Sequence, residues 1–347
     1  MNNDLNRSVK QAAVAGDGVV VGIDIGGTKT AVVLSRELPD VLARIEFGTL
    51  PELGPDRAIE KILHGVGDLL LASGLTNNDI ASIGVSCGGP LDRHRGLIQS
   101  PPNLPTWADV PIVRILSDHF GVPCHLENDA NAGAVAEYRF GAGRGTQNMI
   151  FLTMGTGLGA GMILNGQIYR GASEMAGEFG HVRLTESGPV GHNKAGSVEG
   201  WVSGSGMTQS ALRAIRTAVE RGVATTLSPF AEKGTLTPRH IAAAALDGDE
   251  IAKEIIHSTG ERLGEALAIV IDILNPECIV MGGLAMRLGD ALLTPARAVL
   301  EREALPASAR VCRLVAAALG ERIGDVAALC VATSFSREHQ VTEPARP

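Results

Sequence analysis

Cysteine is scarce in this chain, and basic charge is not in excess. The five cysteines among 347 residues, Cys87, Cys124, Cys278, Cys312 and Cys330, include no CxxC pair. Several sit in apolar runs and read as small buried hydrophobes with reduced thiols, the habit of a cytoplasmic protein. Thirty basic residues face 38 acidic ones, a formal charge of −8, which argues against a nucleic-acid surface. No apolar run approaches the length of a membrane-spanning helix. The opening MNNDLNRSVKQAAVAGDG has no apolar stretch of signal-peptide length and reads as a flexible tail over 1–17. Two familiar nucleotide motifs are also missing: there is no GxxxxGK[ST], and no GxGxxG opens a helix. What is abundant is glycine, 43 residues, in a chain 45% apolar and 20% charged. This is a globular composition long enough for roughly two domains, with many tight turns or close backbone approaches.

Strand and helix patterns alternate, which argues for an α/β architecture. VVVGIDI (19–25), Gly26-Gly27 and TAVVLS read as strand, tight turn and returning strand. Residues 55–74 carry helical periodicity, with proline near the start and glycine at the end. IASIGVSCGGP and VPCHLEN read as strands, the second leading into a helix in DANAGAVAEYRFG. At 149 the first pattern recurs as MIFLTM, GTGLG and AGMILNG, which suggests two similar halves. A long helix over 251–274 then precedes NPECIVMGGLA, a strand running into a third glycine pair. The boundaries expected are an N-terminal domain over 18–137 and a larger C-terminal domain over 138–322. A last helix, about 323–340, is expected to pack back on the first domain.

Three groups of residues invite chemistry. DIGGTKT offers unobstructed backbone N–H groups beside Thr28, Lys29 and Thr30, and MGTGLG repeats the idea around Thr156. Such nests suit phosphate oxygens; each loop reads equally as a hairpin using glycine for positive φ. Asp24 can face a hydrated Mg²⁺ or be a plain strand-end carboxylate. In HLENDANAGAVAEY, Asp129 is either an N-cap or a general base accepting a proton from an attacking hydroxyl, while Asn131 and Glu137 serve structure. GEFGHVRLTESGPVGHNKAGSVEGW (177–201) collects Glu178, His181, His192 and Glu199. These groups hold a metal, hold a substrate or stabilise a loop.

Taken in order, VVGIDIGGTKTAVVL, GVSCGGP, SPPNLPTW, LENDANAGAVAE, LTMGTGLGAGMILNGQIYRG, GEFGH and IVMGG resemble the ROK family of bacterial sugar kinases and related transcriptional repressors. The resemblance spans about 19–330. It implies two ribonuclease H-like domains of the actin-like ATPase fold with a central cleft, ATP and Mg²⁺ as cofactors, and a homodimer or tetramer. By the same resemblance, Asp129 matches the catalytic base, with Asn128 beside it on a sugar hydroxyl. Gly26, Gly27, Thr28 and Lys29 match the first phosphate loop, Gly155, Thr156 and Gly157 the second, and Gly282 and Gly283 the turn near the adenosine. Gly89, Asn103, Glu178, His181 and Glu199 match residues of the sugar pocket.

In many members a zinc is held by the GH histidine and three cysteines. Here those cysteine positions are Val190, His192 and Ser197, so no structural zinc is expected. The function implied is ATP-dependent phosphorylation of a free hexose at a primary hydroxyl, glucokinase-like, with fructose, mannose, allose and N-acetylhexosamines as other acceptors. A DNA-binding repressor is disfavoured because only about 18 polar residues precede the first strand, short of a helix-turn-helix module. A binding-only or sugar-sensing relative is the remaining alternative. Neither nucleic acid nor membrane is expected as a partner.

Overall fold

A computed structural model of the chain describes residues 18–338, with side chains to residue 333. The expected tail over 1–17 and the final residues of the helix expected to reach 340 lie outside the described residues. The chain divides into two compact units: the described residues up to Ala136 together with those from Glu321 onward, and Glu137–Gly320.

The first unit is built on a five-stranded sheet. Its strands are β1 (Val19–Ile25), β2 (Lys29–Ser35), β3 (Ala43–Gly48), β4 (Ile80–Cys87) and β7 (Cys124–Asn128), in the order β3-β2-β1-β4-β7. β1, β4 and β7 run parallel; β2 and β3 return antiparallel. β1, β2 and β4 are mostly buried because both faces are covered. Val19, Val21, Ile23 and Ile25 share a core with Ile83, Val85, Ile59 and Ile62, beneath α1 (Pro55–Ala72) and α2 (Ile112–Phe120). The other face carries small or polar residues, Gly22, Asp24, Ser82, Gly84 and Ser86. α12 (Ile323–Glu338) lies there almost backbone to backbone. A Cβ on Gly22 would stand 2.9 Å from Leu329 N, and one on Gly84 would run into Ala332 N and Ala328 O. Ser82 Oγ donates to Ala332 O at 2.8 Å. Two short strands, β5 (Leu91–Asp92) and β6 (Leu97–Ile98), form a separate ribbon, and α3 (Asp129–Phe140) follows β7.

The second unit repeats the order. β8 (Met149–Met154), β9 (Leu158–Leu164), β10 (Gln167–Ile168), β13 (Cys278–Gly283) and β14 (Arg313–Ala316) pair as β10-β9-β8-β13-β14. Here too the strands on one side of the first hairpin are parallel and those on the other antiparallel. β9 begins at Leu158, so the last two residues of GTGLG belong to the strand and the turn is Gly155-Thr156-Gly157. A second small ribbon pairs β11 (Val190–Gly191) with β12 (Lys194–Ala195). The helices are α4 (Val198–Val202), α5 (Gly204–Glu220), α6 (Ser228–Glu232), α7 (Pro238–Leu246), α8 (Glu250–Leu274), α9 (Leu284–Leu288), α10 (Asp290–Glu303) and α11 (Pro306–Val311). Buried Ile255, Leu263, Leu267 and Ile271 of α8 join the core of this unit with Ile150, Leu152, Ile279 and Met281. Glu137, wholly buried, accepts from Ala142 N (2.7 Å), Ala318 N (3.2 Å) and Leu319 N (2.9 Å). Three donors offset the cost of burying that carboxylate. None of the five cysteines forms a disulfide; burial pushes the Cys124 and Cys312 thiols up to about 12. No helix among the described residues is long and apolar enough to cross a membrane.

Candidate active site

The β1–β2 hairpin closes through Gly26 N donating to Lys29 O at 3.0 Å. Neither Gly26 nor Gly27 takes a positive φ, so backbone conformation is not what calls for glycine here. Space is: a Cβ on Gly27 would lie 2.6 Å from Asn103 Cβ and 2.9 Å from Asn103 O. The turn is held from below by Thr49, a buried residue that sequence reasoning did not single out. Its hydroxyl donates to Gly26 O at 2.6 Å and sits 2.9 Å from the hydroxyl of Thr30. Lys29 is exposed and pairs with Glu46 at 3.0 Å. Glu46 also meets Arg44, which reaches Asp325 at 2.8 Å.

Asn103, Asn128 and Asp129 converge on the loop after β4. Asn103 Oδ1 and Asp129 Oδ2 would lie 3.8 and 3.9 Å from a Cβ on Gly88, and Asn128 Nδ2 would lie 3.4 Å from one on Gly89. The N-cap of α3 is Asn128, whose Oδ1 accepts from Ala130 N (3.0 Å) and Asn131 N (3.3 Å). The capping alternative for Asp129 therefore falls largely to its neighbour, although Asp129 Oδ1 also accepts from Ala130 N at 2.8 Å. Asp24 lies half-buried at the end of β1. Burial pushes its carboxyl up to about 7; the charges of Asp129 and Asp325 add to the rise, and hydrogen bonding from Ser86 opposes it. Two carboxylates, Asp24 and Asp129, thus lie near the first hairpin.

In the second unit, Gly155 N donates to Gly157 O at 3.0 Å, again without positive φ at either glycine. This hairpin is held from the start of α5. Gly204 N donates to Gly155 O (2.8 Å), while Ser205 donates to Thr156 O through its N–H (3.1 Å) and its hydroxyl (2.8 Å). Glu199 Oε2 accepts from Leu158 N at 3.0 Å and would stand 2.7 Å from a Cβ on Gly157. Glu199 therefore bears on the hairpin as well as belonging to the loop of Glu178 and His181. His181 ends a 3-10 turn (Phe179–His181) rather than a strand. Its Nε2 is 3.9 Å from Glu178, and its ring lies edge to face against His192 with centroids 4.4 Å apart. Gly282 and Gly283 close β13, paired with Thr153 and Met154 of β8. Only Gly283 is left-handed, at φ +67°. Past it, α9 borders a cavity of about 670 Å³ against α7, α8 and α10, lined by Ala242, Leu246, Ile256 and Leu288 with Lys253 and Arg287.

The 190–199 segment does not fit a zinc ion. A tetrahedral site needs four sulfur, nitrogen or carboxylate donors. Val190 has none, and Ser197 Oγ caps α4, accepting from Gly200 N at 3.1 Å and donating to Gly191 O at 3.3 Å. Among the described residues no group of three His, Cys, Asp or Glu is arranged to hold a metal.

Two sheets with one strand order, each opening on a glycine hairpin, are the repeat of an actin-like ATPase, the fold of solved ROK sugar kinases. The ROK family model matches residues 20–334, and the chain belongs to that family. A glucokinase of Streptomyces coelicolor is 30% identical over 315 residues, covering 90% of this chain and 96% of the relative. A ROK glucokinase from Streptomyces griseus, solved with glucose and AMPPNP, superposes with a TM-score of 0.76 at 30% identity, covering 91% of this chain and all of the other. A xylose repressor of Caldicellulosiruptor bescii is also 30% identical, over 82% of this chain and 70% of its own length.

Proposed function

We propose that the protein is an ATP-dependent hexose kinase of the glucokinase type, with Asp129 as its general base. The convergence of Asp129, Asn128 and Asn103 beside the first glycine hairpin carries this reading, supported by the similarity to two glucokinases. Asp129 accepts the proton of a primary hydroxyl while that oxygen bonds the γ-phosphorus and the bond to the β–γ bridging oxygen breaks, releasing ADP. The amides of Gly26, Gly27, Thr28 and Lys29, and those of Gly155, Thr156 and Gly157, bind the phosphates. The cavity beyond Gly283 takes the nucleoside. Asp24 is the residue that would hold a hydrated magnesium ion, whose chemistry is to neutralise phosphoryl oxygens. Gly89, Asn103 and Asn128 meet sugar hydroxyls, a role that extends to Glu178, His181 and Glu199 in the second unit.

ADP release from ATP and Mg²⁺ across glucose, fructose, mannose, allose and N-acetylhexosamines tests the proposal. Turnover concentrated on glucose supports it, and turnover on another sugar renames the substrate. Sugar binding with no turnover on any acceptor would favour a sensing role, the reading that similarity to the xylose repressor supports.

A further inference from the structure

The β11–β12 ribbon turns on two residues, His192 and Asn193, with φ of +47° and +61°. Two successive left-handed residues are the signature of a type I′ hairpin, which favours Asn-Gly. Asparagine in the second place suits it. Histidine in the first carries a Cβ where left-handed backbone is unfavourable. Such an outlier persists where its surroundings over-determine it, and here they do. Gln209 of α5 grips Val190 twice, accepting from its N–H at 2.9 Å and donating to its carbonyl at 2.8 Å. Arg183 Nη1 donates to Ala195 O at 2.7 Å. Lys194 Nζ donates to the carbonyl of His181 at 2.6 Å. The strained tip delivers the His192 ring against His181, at a centroid separation of 4.4 Å.

We propose that His192 is a positioning residue for sugar recognition: held left-handed at the hairpin tip, its ring fixes the imidazole of His181, while Lys194 ties down the backbone of the same residue. The hairpin does by side-chain hydrogen bonds and one ring contact what a bound metal would do by coordination. The inference rests on the reading that His181 meets the sugar. It adds that the acceptor end of the site is set by an edge-to-face ring contact and an ammonium group, with no metal dependence.

The discriminating variant is His192→Asn, because asparagine tolerates the left-handed turn and removes only the ring. Steady-state kinetics of the full chain, varying hexose and ATP separately, are expected to show a hexose KM raised roughly three- to tenfold, the scale of an aromatic pair. The KM for ATP, kcat and the melting temperature should stay close to wild type. Lys194→Met should raise the hexose KM in the same direction. Dialysis of the wild type against a chelator should change neither its melting temperature nor its hexose KM. An unchanged hexose KM in His192→Asn would reduce the residue to a turn former and overturn the proposal. So would sugar affinity lost on chelation and regained with zinc. A wild-type enzyme inert on every sugar would instead sink the kinase reading, and is seen before any variant is made.

Discussion

The two glycine hairpins share a shape and differ in what holds them. The first is latched by the hydroxyl of Thr49, from the turn after β3, and crowded by the side chain and backbone of Asn103. The second hangs from a helix N-terminus, through Gly204 and Ser205, and from one flexible carboxylate, Glu199. The first also stands between two acids, Asp24 and Asp129. Beside the second, Glu199 accepts from Leu158 N through Oε2. Equal strand order therefore does not mean equal chemistry: two carboxylates stand near the first hairpin, while the carboxylate at the second is bonded to the hairpin's own strand.

The largest expected break between them is catalytic. Asp129→Asn should lower kcat by about 10²–10⁴-fold, the usual contribution of a general base, while equilibrium sugar binding survives. Glu199→Gln should instead raise KM values with a smaller loss of kcat. A variant pair with matching losses would remove the distinction.

Next comes the pH dependence of stability. The carboxyl of Asp24 is raised to about 7 from its ordinary value of 3.8, so the folded state holds this proton more tightly than the unfolded one. Its contribution to stability is complete below about pH 4 and is lost as pH rises through about 7. The loss is at most about 4 kcal/mol. Asp24→Asn, melted without nucleotide or divalent ion, should therefore be more stable than wild type at pH 8 and indistinguishable near pH 4. Equal stability at both pH values would contradict the burial of that charge.

Crowding separates the glycines. Gly27→Ala meets the Cβ and backbone of Asn103 and should cost about 1–3 kcal/mol, the range for overpacking. Gly157→Ala meets only the end of Glu199, which can swing aside, and should cost less; urea titrations of both variants test the order. The smallest effects belong to the latches. Thr49→Val should destabilise by about 1 kcal/mol, one hydrogen bond. Ser205→Ala, exposed and still donating through its N–H, should cost less in the same assay.

Both hairpins and the long α8 were legible in the sequence because runs of valine, isoleucine and leucine ended in glycine. β3 and β14 were not. Both are edge strands, β3 alternating half-buried and exposed residues in ARIEFG and β14 only half-buried within RLVA. α4, five residues long, is too short to show a helical period beside the candidate ligands of its segment. Asp129 and Asn103 were legible as motif positions. Of the two readings of the hairpin glycines, unobstructed backbone N–H groups and positive φ, the second does not apply in either turn, and close approach by Asn103 and Glu199 is a further reason for glycine that only the fold supplies. Thr49 and Lys194 left no trace because each acts on a backbone carbonyl, of Gly26 and His181, across 23 and 13 residues of chain whose path the local pattern does not specify.

α12 gives the architecture a history as well as a shape. The sheet it covers is synthesised before the second unit, and the helix that lies on Gly22 and Gly84 after it. Until α12 emerges, then, one face of β1 and β4 waits for its cover, while the whole of the intervening unit can complete its own sheet. The chain is expected to mature from its middle outward, and a message cut short before residue 323 would yield a finished second unit attached to an unfinished first.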